Sequence, residues 1–242
     1  MLPGNDANPD GYWESASLTG FNDAVLARWG GSWWRAPASV TNALLASVSD
    51  RKEEAAAAFL ETFGADDGWV WKDPRLTVLL PFWLSVLGEQ PILFPYRDPQ
   101  SVAHSIAARD GVSYTQGLAI WEVHTRLALR AMEGQRVLFA SYGSLRNDPA
   151  GWGSALHAFC QGSGLPVHDS GPVPPDWIAT PRSSGEGSTS PQQDALFEFL
   201  QACDGPHDSL SLGALPPETD GLRAELASVR PPAWSRLHDA PR

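Results

Sequence analysis

The apolar positions of this chain fall into two spacings. Leu18, Phe21, Val25 and Trp29 share one face at the period of an amphipathic helix over residues 14–29, which Gly30-Gly31 ends. Residues 50–63 predict a second helix, with Asp50 as N-cap, Glu53 three residues on and a run of alanines behind. Residues 114–132 predict the longest, with Leu118, Trp121, Leu129 and Met132 among its apolar positions. Further helices are expected over 74–87, 99–109, 149–161, 192–203 and 222–228. Short continuous apolar runs mark strands at 68–72, 91–96 and 136–142. Residues 32–48 are ambiguous, and their Trp33-Trp34 pair suits either a core or the wall of a cleft. Gly, Pro and Ser dominate 162–191, a long loop that is mobile in part, and 205–242 reads as a weakly structured tail.

One small pattern occurs twice. Trp69-Val70-Trp71 and Ile92-Leu93-Phe94 each lead to a cation, Lys72 or Arg97, then to Asp-Pro, then to a helical segment. Asp is a good N-cap, and Pro suits the first turn because the amide it lacks would be unbonded there. Two strand–turn–helix units in succession predict an α/β fold: a single domain over 1–242, with a parallel sheet and helices on both faces. Ligands of such sheets sit beyond the carboxyl ends of the strands, where helix N-termini offer free N–H groups and partial positive charge. Lys72 and Arg97 fall at those ends and make an anion site, most naturally for phosphate. The alternative is that they pair with Asp73 and Asp98 and only pin the turns. Ser105 follows Arg97 by eight residues, two turns into the next helix, which suits a phosphate held by a guanidinium fork and a hydroxyl.

Composition narrows the classes. A net charge of −11 argues against a nucleic-acid or anionic-membrane binder, although a basic pocket can sit inside an acidic shell. Lys52 and Lys72 are the two lysines of the chain, so a lysine directly after Trp-Val-Trp is not surface decoration. Cys160 and Cys203 lack metal-ligand spacing and read as reduced thiols of a cytoplasmic protein, with no metal site expected. No run approaches the roughly 18 apolar residues of a membrane span. No G-x-x-x-x-G-K-[ST] occurs, which disfavours a P-loop kinase, the third reading.

Several segments together carry a resemblance. Asn8-Pro9-Asp10-Gly11-Tyr12-Trp13-Glu14, Phe21-Asn22-Asp23, Trp71-Lys72-Asp73-Pro74-Arg75-Leu76, Tyr96-Arg97-Asp98-Pro99 with Ser105, Asp110-Gly111 to Trp121-Glu122, and Ser141-Tyr142 to Asp148-Pro149 stand in order over roughly residues 5–160. In this order and spacing they resemble the bacterial branch of the sulfotransferases that use 3′-phosphoadenosine 5′-phosphosulfate (PAPS). The resemblance implies a P-loop-like sulfotransferase fold and transfer of a sulfuryl group to a hydroxyl or amine of a small-molecule or glycan acceptor, leaving 3′,5′-ADP. It implies that Arg97 and Ser105 bind the 3′-phosphate, that Tyr142 lies near the adenine, and that Arg182 is a late arginine able to reach the phosphate. Gly143 stands where the family has glutamate. Lys72 takes the electrostatic role near the transferred group, and Asp73 is the nearest general base, with Glu14, Glu122 and His124 as rivals and a packing role open for His124.

The family's phosphosulfate loop should precede the Asn8–Glu14 segment. The expectation is therefore either a start further upstream or an N-terminally truncated, inactive product: a nucleotide-binding remnant or partner module. The sheet edge left bare would then favour partnering, including a homo-oligomer.

Overall fold

The computed structural model describes residues 13–64, 68–167 and 187–230. Its elements run α1 (Ala16–Arg28), α2 (Asn42–Ser47), a 3-10 turn (Ser49–Arg51), α3 (Lys52–Phe63), α4 (Leu76–Leu87), β1 (Ile92–Tyr96), α5 (Pro99–Asp110) and α6 (Tyr114–Met132). They continue through β2 (Val137–Ser141), α7 (Tyr142–Asn147), α8 (Pro149–Gly162), α9 (Pro191–Ala202), β3 (Gly205–His207) and α10 (Leu222–Ser228). The fold is mixed α/β, a three-stranded sheet in a single domain of helices.

The sheet has the order β1-β2-β3. β1 and β2 are parallel, in the register Ile92↔Val137 to Tyr96↔Ser141. β3 runs antiparallel to β2, which makes the sheet mixed where an all-parallel one is expected. Pro95 fits in β1 because β1 is an edge strand, whose outer side asks for no amide donor. Helices cover both faces, as β2 shows by alternation. Val137 and Phe139 pack with α6 and α9 through Leu129, Met132, Leu196 and Leu200, whereas Leu138 and Ala140 face Phe159 of α8.

α6 is the central element. Ser113 closes a capping box with Gln116, and residues from Gly117 to Leu129 are buried without a break. α5 lies against it so closely that a Cβ on Gly117 would stand 2.8 Å from the Ala103 carbonyl oxygen, so only glycine fits there. The larger core joins α1, α3, α4, α6 and α10 around Leu18, Leu26, Leu79, Phe82, Trp83 and Ile120.

Three further expectations need correction. Residues 68–72 are not a strand. Their side chains alternate as a strand's do, with Trp69 and Trp71 against the core and Val70 90% exposed, but the sheet begins at β1 and the segment joins no ladder. Asp50 does not cap α3: it pairs with Arg28 at 3.2 Å, and a 3-10 turn leads into the helix from Arg51. The described part of the tail, 205–230, is ordered and packed, with β3, α10 and the buried Leu210, Leu222, Leu226 and Val229. Of the 162–191 loop, 168–186 lie outside the described residues.

Candidate functional site

The carboxyl ends of β1 and β2 bring two of the expected cofactor residues together. Arg97 follows the last residue of β1, and its guanidinium lies 5.2 Å from the centroid of the Tyr142 ring. The helices that start there are capped by side chains. Asp98 accepts from the Ser101 amide at 2.8 Å, and the Ser141 hydroxyl accepts from the Gly143 and Ser144 amides. Asp98 therefore caps its helix, and Arg97 packs on an aromatic ring, so this turn is not pinned by an Arg97–Asp98 pair. Tyr142 is the first residue of α7, not the last of a strand, because Ser141 acts as an N-cap. Ser105 lies exposed on α5. Arg182 lies outside the described residues.

Tyr96 completes this rim. Burial first, and then the Asp204 carboxylate, push its phenol up to about 12, so it stays a neutral hydrogen-bonding group. Asp204 also accepts from the Ser141 amide at 3.2 Å, tying the start of β3 to the end of β2.

A second polar cluster surrounds the turn after residues 68–72. Lys72 donates to Glu14 at 2.7 Å rather than to Asp73; its side chain is 56% exposed, whereas that of Glu14 is 7% exposed. Asp73 is buried and both its oxygens are engaged. Oδ1 accepts from the Arg75 amide at 2.8 Å and from its guanidinium at 3.2 Å, and Oδ2 accepts from Asn22 Nδ2 at 2.9 Å. Asn22 in turn accepts from the Trp83 indole. Arg75 grips Asp23 with two nitrogens and approaches Glu14 at 3.5 Å. Burial opposes its charge, but Asp73 and Asp23 outweigh that, and its pKa is raised. Asn22, Asp23 and Arg75 lie within the resembling segments, yet nothing in the sequence assigned them this role. The signal was Asn22 itself, a polar residue beside Phe21 and Val25 on the apolar face of α1.

His124 links this turn to two other elements. Nε2 stands 2.8 Å from the Trp33 carbonyl and Nδ1 2.6 Å from the Thr77 hydroxyl, which also reaches the Pro74 carbonyl at 2.7 Å. A carbonyl only accepts, so Nε2 of the neutral ring carries the proton, and the single hydrogen of the Thr77 hydroxyl is shared between Nδ1 and the Pro74 carbonyl. Burial pushes the pKa down to about 4, the Trp33 carbonyl opposes the shift, and Arg75 adds to it. His124 is thus a neutral packing group at pH 7. Trp34 is buried and Trp33 meets it edge-on at 4.2 Å, so this pair is core wall.

Glu122 is wholly buried and serves structure. It accepts from Arg126 Nε at 2.9 Å, the Thr219 amide at 3.0 Å and Gln193 Nε2 at 3.2 Å. Arg126 donates on to the Pro216 and Pro217 carbonyls, both at 2.6 Å. A hollow lined by Arg130, Glu133, Leu212, Gly213 and Leu215 opens beside the amino end of β2, away from Arg97 and Tyr142. Among the described residues no group of three metal-ligating side chains stands together, and no helix is long and apolar enough to cross a membrane. No protein-family model, curated protein or solved structure matches this chain.

Proposed function

We propose that the chain is a PAPS-dependent sulfotransferase, with the nucleotide's 3′-phosphate held by Arg97 and Ser105 and its adenine beside Tyr142. The observation that carries this reading is the guanidinium of Arg97 over the Tyr142 ring at the carboxyl ends of two parallel strands. A cation and an aromatic face at that position suit a phosphorylated purine nucleoside, the one binding the ester phosphate and the other the base. When bound, PAPS supplies a sulfuryl group already activated on a phosphate. The protein's share is to orient the acceptor, neutralise charge and take up a proton.

Lys72 is the cation for the transferred group, its ammonium half-exposed at the surface. For the proton, Glu14 is better placed than Asp73. Both Asp73 oxygens are spent in hydrogen bonds to Arg75 and Asn22, whereas Glu14 accepts one hydrogen bond, from the half-exposed Lys72, and its other oxygen stands 3.5 Å from Arg75. Transfer of labelled sulfate from PAPS to a panel of alcohols, phenols and amines tests the activity. Lys72→Ala should lower the rate about 100-fold, the usual effect of losing one preorganised charge-stabilising donor, and leave 3′,5′-ADP affinity unchanged. Transfer equally fast in the variant would remove Lys72 from the chemistry.

A second reading, a nucleotide-binding module that transfers nothing, draws on the Lys72–Glu14 pair, since that cation is already partly neutralised. It predicts 3′,5′-ADP binding with no labelled product from any acceptor of the panel.

A further inference from the structure

Among the described residues, the charged side chains at the turn after 68–72 do not balance. Glu14, Asp23 and Asp73 are the acids, and Lys72 and Arg75 the cations. The two cations hold their partners differently. Lys72 reaches Glu14 Oε1 at 2.7 Å from a half-exposed side chain. An ammonium so placed regains water when it lets go, and exposed pairs of this kind are held loosely. Arg75 is 15% exposed and touches all three acids: Asp23 with two nitrogens, Asp73 Oδ1 at 3.2 Å and Glu14 Oε2 at 3.5 Å. Asp73 is fixed in turn by Asn22, and Asn22 by the Trp83 indole. Withdrawing the guanidinium would strand Asp73, whose side chain is 1% exposed, so Arg75 stays where it is. The two oxygens of Glu14 thus face one cation that is free to leave and one that is not.

We propose that Arg75 is the positioning residue of this site: it keeps the Glu14 carboxylate in place while Lys72 exchanges Glu14 for the incoming sulfuryl group. The proposal rests on the sulfotransferase reading above. A sulfuryl oxygen competes with Glu14 for one ammonium, and the half-exposed Lys72 stem is free to turn toward it. Glu14 is then held through Oε2 by Arg75 alone, and Oε1 is left without a partner. Arg75 serves three carboxylates at once, so it neutralises none of them fully and leaves Glu14 able to accept a proton. A planar guanidinium can span three acids, which an ammonium in its place cannot. In the transfer, the acceptor oxygen bonds to sulfur and the bond from sulfur to the 5′-phosphate oxygen breaks. Its electron pair stays on that oxygen, and the acceptor's proton passes to Glu14 Oε1.

The exchange is read without turnover, by NMR of the full chain labelled in its lysine and glutamate side chains. Lys52 and Lys72 are the two lysines, so Lys52 serves as the internal control. The probe is sodium sulfate, against sodium chloride at equal ionic strength. Sulfate should shift the Lys72 signal and leave that of Lys52 in place. Glu14→Gln frees Lys72 beforehand and should bind sulfate about two- to fivefold more tightly, the value of one loosely held ion pair. Asp23→Asn removes the same charge but not the partner of Lys72, and should tighten sulfate less. No shift in the parent, or equal tightening in the two variants, would overturn the exchange. With sulfate bound, the Glu14 γ-methylene signal should stay sharp in the parent and broaden in Arg75→Lys, which keeps the charge without the fork; if that variant does not fold, the same measurement on Asp23→Asn decides. A Glu14 signal alike in parent and variant would remove Arg75 as the positioning residue. In labelled-sulfate transfer, Arg75→Lys should lower kcat at least about tenfold with KM for PAPS within about twofold of the parent, as misplacement of a reacting group does. The two readings fail separately. If the parent transfers nothing while the NMR changes appear, the sulfotransferase reading falls and the exchange stands; transfer without those changes removes the exchange alone.

Discussion

Arg126→Leu is expected to cost about 3–5 kcal/mol of stability, the usual penalty for leaving a buried charge without its partner. The side chain of Arg126 is 2% exposed and that of Glu122 0%. Removing the guanidinium strands the Glu122 carboxylate in the core, held only by Gln193 and the Thr219 amide. It also orphans the Pro216 and Pro217 carbonyls, which bring the tail onto α6. For a chain of this size the loss corresponds to a fall in Tm on the order of 10 °C. The double variant Glu122→Leu/Arg126→Leu removes the stranded charge and should be more stable than Arg126→Leu alone. A single variant within about 1 kcal/mol of the parent would show that the network does not anchor the tail.

Acidification supplies the second large effect. His124 titrates near 4 in the folded chain against about 6.5 when unfolded, so between those values the unfolded state binds more protons. Its contribution is fully present above about pH 6.5 and is lost as pH falls through 4; the loss reaches about 2 kcal/mol at pH 5 and about 3 kcal/mol at pH 4. Carboxylates titrate in the same range, so the comparison is with His124→Gln. That variant is less stable at pH 7, because Gln matches the geometry to Trp33 and Thr77 less well, but its stability falls less steeply between pH 7 and 4. Parallel urea-denaturation slopes against pH in the two proteins would show that His124 is not the group responsible.

Much of the fold could be read locally. The apolar positions Leu118, Trp121, Leu129 and Met132 gave α6 its limits at Tyr114 and Met132, and the short periodic run at Leu222–Ser228 gave α10. The doubled pattern worked once. Its second copy became β1, the Asp98 cap and α5, because β2 lies alongside as a partner. The first copy has the same local chemistry but no ladder, and alternation of Trp69, Val70 and Trp71 alone does not make a strand. β3 was invisible for the converse reason: Gly205-Pro206-His207 has no strand propensity and is recruited by register against Val137–Phe139.

The candidate site divides in the same way. Arg97 was placed by its turn, and Tyr142 by resemblance. Arg75 is a neighbour of Asp73 in the turn, but the Lys72 partner Glu14 and the Asp73 partner Asn22 come from α1 and the residues just before it, more than 50 positions away, and no local pattern encodes them. His124 was weighed as a base because its residue type suits the task. Its burial, which decides the matter, depends on Trp33 and Thr77 closing over it from two other elements.

Titration calorimetry of 3′,5′-ADP into the full chain and into Arg97→Ala bears most directly on the site at the strand ends. Saturable binding by the parent, weakened at least about tenfold by loss of one charge-assisted phosphate contact, is the predicted result. No binding by the parent, or the same affinity in Arg97→Ala, would contradict it.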